Sequence, residues 1–361
     1  MLKKIIVGLG ICGTVLLAEV PLEQKIGQML MVGFHGTSAK PDSRICQDIK
    51  RYNLGAVILF DYNPVDKSKP KNIASKAQVA RLTRELQACS RDGKLLIAVD
   101  QEGGRVQRLK SKYGFYGKFP KAADVVRSGV SRMKRTYEAM AKELKSVGIN
   151  YDLAPVVDLD INPKNHVIHG LGRSFGKEPQ TVTKYASVFI DAMHKYGVLT
   201  SLKHFPGHGS SVGDTHKGFV DVTNLWKPVE LEPYRMLKER ADTVMVAHVF
   251  NRKIDAKYPA TLSKKSVDGL LRSKLGFKGV VITDDLQMGA ISHKYKLADV
   301  LALAINAGDD ILLFGNQLDP RKVVSPHTLV STVMRLVREG RVSKESIERS
   351  YRRIRALKEK L

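Results

Sequence analysis

A single (β/α)8 barrel, TIM-like in form, is the fold this sequence predicts, and three observations carry the expectation. Eight short apolar runs alternate with longer amphipathic stretches at intervals of roughly 40 residues. No Pro/Ser-rich linker or low-complexity segment divides the 361 residues. The first strand is not followed by the Gly-rich dinucleotide fingerprint that would favour the main alternative, a doubly wound open sheet. With 43% hydrophobic residues the chain can bury one large core.

In order, the apolar runs read as strands are 29–34, 56–60, 95–99, 151–154, 199–203, 243–247, 279–283 and 310–314. Between them, apolar positions recur at helical spacing over 74–90, 133–147, 179–196, 228–239, 263–275 and 297–307, and helices over 321–339 and 344–360 close the chain. Active sites of such barrels sit at the C-terminal ends of the strands. Asp100 ends the third run, Lys203 and His204 the fifth, His248 the sixth and Asp284 the seventh.

The first 18 residues stand apart. Lys3 and Lys4 precede an apolar run from Ile5 to Ala18, which reads as a secretory signal and is short for a membrane span. Cleavage before Glu19 is expected, an uncleaved anchor is the second reading, and Ile11 before Cys12 fits lipoprotein processing poorly. The expected division is 1–18 as leader or anchor and 19–361 as the barrel. The protein would then be exported, periplasmic or extracellular, and would touch membrane only through that segment if it is retained. Cys46 and Cys89 remain; two cysteines are too few for a disulfide scaffold, and free buried thiols are expected.

The formal net charge is +24, and +22 without Lys3 and Lys4, because Met1 to Ala18 carries no acid. A field of that sign favours anionic partners, whether nucleic acid, anionic lipid or an acidic polymer such as bacterial cell wall. The basic residues are scattered and no nucleic-acid motif with interleaved aromatics occurs, so nucleic acid is not expected.

Chemistry concentrates in Lys203-His204-Phe205-Pro206-Gly207-His208-Gly209 and, five residues on, Asp214-Thr215-His216. A carboxylate bonded to one imidazole nitrogen fixes the tautomer and raises the basicity of the other, which suits proton transfer near neutral pH. Asp214 and His216 are such a dyad. A metal site from His204, His208, His216 and Asp214 matches no zinc spacing, and Pro206 breaks the helix that would align an i, i+4 pair. In Thr283-Asp284-Asp285-Leu286, strand alternation sends only one acid into the barrel mouth. Asp284 is taken as the functional acid and Asp285 as a helix cap. Asp100-Gln101-Glu102-Gly103-Gly104-Arg105-Val106-Gln107-Arg108 leaves a strand with Asp100 and Arg108 able to grip ligand hydroxyls. Gly172-Arg173-Ser174-Phe175-Gly176 adds Arg173, as a ligand contact or a structural ion-pair partner.

In this order and spacing these segments resemble glycoside hydrolase family 3, in particular its single-domain β-N-acetylglucosaminidases of the NagZ type, from about Gln24 to Gly315. The resemblance implies a retaining hydrolase, free of cofactor or metal, that removes terminal β-linked N-acetylglucosamine from peptidoglycan fragments. It implies Asp284 as the nucleophile, His216 as the acid/base assisted by Asp214, and Asp100, Arg108, Arg173, Lys203 and His204 around the sugar. Many relatives supply the donor from a second domain; here the barrel must supply it, and a loop bearing His216 is the available source. The segment 209–213 departs from the usual loop before the Asp, 61–72 is rich in Lys and Pro, and the leader is unlike cytoplasmic members. Two other readings stay open: a phosphorylase of the same fold, since a neutral imidazole tolerates a phosphate acceptor, and a non-catalytic wall-binding protein drawn by charge.

Overall fold

The computed structural model describes residues 19–361; the predicted leader and Cys12 lie outside the described residues. The strands are β1 (Leu30–Gly33), β2 (Ala56–Ile58), β3 (Leu96–Val99), β4 (Tyr151–Asp152), β5 (Leu199–Phe205), β6 (Thr243–Val246), β7 (Val280–Thr283) and β8 (Leu312–Phe314). All pair in parallel, and each falls on a predicted apolar run. Register runs from Leu30 opposite Leu312 through Val57 opposite Ile97 to Thr243 opposite Val280. A bridge between Ile282 and Ile311 brings β7 to β8 and closes the ring. Every residue of these strands is buried, as strands covered by helices outside and packed against each other inside must be.

The long predicted helices are present as Lys76–Cys89, Val130–Ser146, Pro179–Lys195, Leu297–Ala307, Pro326–Arg338 and Lys344–Lys358. Lys76–Cys89 begins in a capping box, the Ser75 hydroxyl accepting from the Gln78 amide at 3.2 Å while the Gln78 side chain accepts from Ser75. Two predicted helices differ. Residues 228–239 split into a 3-10 turn, Pro228–Leu231, and a short helix, Glu232–Leu237, while 263–275 becomes a π-helix, Lys265–Lys274. Short helices at Leu22–Gln28, Arg44–Tyr52 and Ala122–Arg127, and a two-stranded parallel sheet of Val220–Asp221 with Val249–Phe250, were not expected.

The cysteine expectation is corrected. Cys46, on Arg44–Tyr52, and Cys89, ending Lys76–Cys89, form a disulfide with Cα atoms 5.2 Å apart. These two helices pack side by side, a juxtaposition that spacing in sequence does not give. The bond closes a loop of 43 residues, for which chain entropy gives about 4 kcal/mol of stabilisation. Cys46→Ser/Cys89→Ser is expected to lower Tm in thermal unfolding to the value the wild type shows after reduction. Equal Tm for all three would remove the disulfide from the stability of the fold.

The last helix, Lys344–Lys358, crosses the N-terminal ends of the strands. Ser350 and Arg353 bond to buried Asp310 at 2.8 and 3.0 Å, ahead of β8. Lys358, 1% exposed, reaches Gln28 ahead of β1, and Lys360 reaches Asp242 ahead of β6, both at 2.8 Å. The Lys-rich segment after β2 is also partly internal. Lys71 is 1% exposed, donates to the carbonyls of Gly315 and Asn316 beyond β8, and is lowered by burial to about 7.

Candidate active site

At the C-terminal ends of the strands opens a cavity of about 590 Å³, and all eight predicted site residues line it: Asp100, Arg108, Arg173, Lys203, His204, Asp214, His216 and Asp284. One side is a network of buried charges. Lys203, 2% exposed, extends from β5 to Asp100 Oδ1 at 3.0 Å and Glu102 Oε1 at 2.7 Å. Arg173 grips both oxygens of Glu102, at 2.8 and 2.7 Å, and Arg108 approaches Asp100 Oδ2 at 3.3 Å. Burial opposes ionisation of Glu102, but the Arg173 and Lys203 charges overcome it and hold the carboxyl far below its usual range. Asp152, on β4 beneath them, is raised to about 8 by burial, with Asp100 and Glu102 adding to the rise.

His204 is fixed from both sides. Its Nδ1 lies 2.6 Å from Asp158 Oδ2, and Arg173 Nη2 approaches its Nε2 at 3.3 Å. A carboxylate held low accepts from Nδ1–H, so Nε2 is left to accept from the guanidinium. Asp158 also takes the amides of His204 and His208. The second motif glycine, Gly209, is required by space: a Cβ there would stand 1.8 Å from the Leu159 carbonyl oxygen.

Asp284 follows β7 directly and accepts the Asp285 amide at 2.8 Å. Burial works to raise its pKa, yet His248, His204 and His216, in their protonated forms, and the Asp285 amide hold it down at about 2, so the carboxylate is ionised near neutral pH. Asp285 behaves differently: burial pushes it up to about 6, and its Oδ1 accepts from the amides of Gln287 and Gly315. It caps a turn rather than a helix, since the next helix starts at Gly289, and it also reaches the cavity wall. His248 is fully buried, bonded through Nδ1 to Thr261 and through Nε2 to the Asp285 carbonyl, and so braces this turn.

The dyad is formed. Asp214 Oδ1 accepts from His216 Nδ1 at 2.9 Å and from the His216 amide at 3.0 Å, which leaves Nε2 free. The imidazole is 55% exposed. The stem of this loop is fixed: Asn162 donates to the Ser210 and Ser211 carbonyls and Asn165 to those of His208 and Gly209. Among the described residues no three His, Cys, Asp or Glu side chains gather as a metal-ligand set. His208, read as a ligand in that alternative, instead turns Nδ1 to Ser211 at 2.7 Å.

Glu102 and Asp158 were not among the predicted residues. Glu102 lies within a quoted segment and Asp158 a few residues beyond the fourth apolar run, but the role of each appears only when the Arg173 loop and the β5 end meet it.

A family model for the glycosyl hydrolase family 3 N terminal domain matches residues 21–357. Beta-hexosaminidase A of Pseudoalteromonas piscicida is 32% identical over 95% of this chain and 62% of its own length. The Beta-hexosaminidase of Xanthomonas axonopodis pv. citri is 32% identical over 79% of this chain and 83% of its own. Among solved structures, the family 3 beta-N-acetylglucosaminidase of Paenibacillus sp. str. FPU-7 superposes with a TM-score of 0.84 at 34% identity, covering 95% of this chain and 63% of that one. The Beta-N-acetylhexosaminidase of Beutenbergia cavernae gives 0.82 at 30% identity, covering 95% and 99%. The chain thus spans under two thirds of the Pseudoalteromonas and Paenibacillus proteins and nearly all of the Beutenbergia one. With its motifs, its closed barrel and a match running over residues 21–357, the chain belongs to glycosyl hydrolase family 3.

Proposed function

We propose that the protein is a retaining exo-β-N-acetylglucosaminidase that removes terminal β-linked N-acetylglucosamine from peptidoglycan fragments. The observation that carries this reading is one cavity lined by an ionised carboxylate, Asp284, and by an imidazole whose Nδ1 is committed to Asp214. In the first displacement Asp284 attacks the anomeric carbon while His216, as imidazolium, gives its Nε2 proton to the departing glycosidic oxygen. Asp214 stabilises the imidazolium. In the second, Nε2 takes a proton from water, the water oxygen attacks the anomeric carbon of the glycosyl-Asp284 ester, and the carboxylate leaves. Two inversions give net retention. Asp100, Arg108, Arg173, Lys203 and His204 hold the hydroxyl and acetamido groups. The names of the relatives support the sugar; the charge of +22 beyond residue 18 supports an acidic wall fragment as its source.

The test is release of N-acetylglucosamine from its 4-nitrophenyl β-glycoside and from muropeptides in phosphate-free buffer, with the first-formed anomer read by NMR. The β-anomer is expected. The α-anomer would overturn the double displacement, a sugar 1-phosphate on adding phosphate would make the protein a phosphorylase, and salt-sensitive wall binding without sugar release would make it a binding protein.

A further inference from the structure

The nucleophile and the acid/base reach the cavity on separate loops, and two backbone hydrogen bonds join them. The Gly289 amide donates to the His216 carbonyl at 3.2 Å, and the Ala290 amide to the Thr215 carbonyl at 3.1 Å. Both donors belong to the short helix Gly289–Ser292 that follows the Asp284–Asp285 turn. Among the described residues these are the hydrogen bonds that tie residues 214–217 to the barrel; the others made by these four residues stay within their own loop. The His216 ring has Asp214, two residues away, as its partner, so its placement over the cavity depends on where its backbone is seated.

Gly289 is where that seat is tightest. A Cβ there would stand 2.9 Å from the His216 carbonyl oxygen, 2.9 Å from His293 Cε1 and 3.0 Å from the Lys217 carbonyl carbon. Its φ is not in the left-handed region, so the demand for glycine is one of space and not of torsion. We propose that Gly289 is a positioning residue for proton transfer: its bare backbone is the surface against which the His216 loop closes onto the Asp284 turn. The proposal rests on the reading of His216 as the acid/base. A methyl group at Gly289 meets the His293 ring edge and two backbone atoms of the His216 loop at once, so relief by His293 alone leaves the clash with the His216 carbonyl, and moving that carbonyl carries His216 with it. A misplacement of about 1 Å costs on the order of 10²-fold where a proton must be delivered in the transition state.

The experiment compares leaving groups. Departure of a sugar alkoxide from N,N′-diacetylchitobiose needs the proton, whereas 2,4-dinitrophenolate leaves without it. Gly289→Ala and Gly289→Val are expected to lose about 10²-fold in kcat/KM on chitobiose and less than about threefold on the dinitrophenyl glycoside. Azide is expected to accelerate dinitrophenyl turnover and yield the β-glycosyl azide. Ala290→Pro, which deletes the other donor and leaves Gly289 intact, is read in the same way should the Gly289 variants not fold. Gly218→Ala, where a Cβ would meet nothing within 4 Å, is expected to match wild type on both substrates. Equal losses on both substrates in the folded Gly289 or Ala290 variant, or no loss on either, would overturn the proposal. His216→Ala separates the two levels: if it shows no leaving-group dependence, the acid/base assignment falls and the seat with it; if it does and the Gly289 and Ala290 variants do not, only the seat falls.

Discussion

Asp284→Ala is expected to abolish turnover of 4-nitrophenyl N-acetyl-β-D-glucosaminide, with kcat reduced on the order of 10⁴–10⁶-fold, the scale at which removal of a covalent nucleophile is felt. The carboxylate sits at the end of β7, ionised, and Asp285 beside it is the competing candidate. Their environments distinguish them. Asp284 lines the cavity with its pKa held down at about 2, whereas Asp285 accepts from two backbone amides and is pushed up to about 6 by burial. Azide added to Asp284→Ala is expected to occupy the vacated side and give the α-glycosyl azide, the opposite anomer from that expected of a variant damaged in proton transfer. Activity within tenfold of wild type in Asp284→Ala, with the loss found in Asp285→Ala instead, would move the nucleophile by one residue.

Lys203→Met is expected to be the next most severe change, and to show in both rate and stability. The substitution leaves the buried Glu102 and the partly buried Asp100 with only Arg173 and Arg108 to answer them. Breaking a buried ion pair from one side costs about 3–5 kcal/mol, equivalent to a fall of about 10²–10³-fold or more in kcat/KM if borne by the substrate complex. The sign with pH is fixed by the carboxylates. In the wild type Glu102 is held low, so its contribution is present above its unfolded value, 4.5, and is lost as pH falls through the folded pKa. In the variant both acids titrate higher and become neutral sooner on acidification. The Tm gap between wild type and Lys203→Met should therefore be widest near pH 8 and narrow toward pH 4. A gap independent of pH would mean that the loss is one of packing alone.

Much of this was legible in the sequence, for a physical reason. Strands covered on both faces are continuous apolar runs, and β1 to β8 all fell within or across the expected segments to within a few residues at their ends. The predicted site residues converge because each sits at the C-terminal end of a strand or on the loop after it, where this topology gathers side chains. What sequence could not supply was pairing across distance. Glu102 and Arg173 are 71 positions apart and Asp158 and His204 are 46 apart, yet each pair makes contacts under 3 Å. Cys46 and Cys89 belong to the same class. Lys71 is a further case, because the Lys-rich composition of 61–72 gives no sign that this one ammonium is buried, 4.8 Å from the Phe60 ring centroid. The short helix Arg44–Tyr52 was missed although Ser43 caps it and Asn53, at φ 54°, ends it.

The helix that spans the strand N-termini sets the polarity of the whole body. Its last side chains are anchored on the pole opposite the cavity, and Leu361 is 38% exposed there. A bead, electrode or tether attached at this pole therefore turns the cavity toward free solution. Trimming the final turn, by contrast, would strip Lys358 and Lys360 from Gln28 and Asp242 and loosen the body from its base while every residue around the cavity remained in the chain.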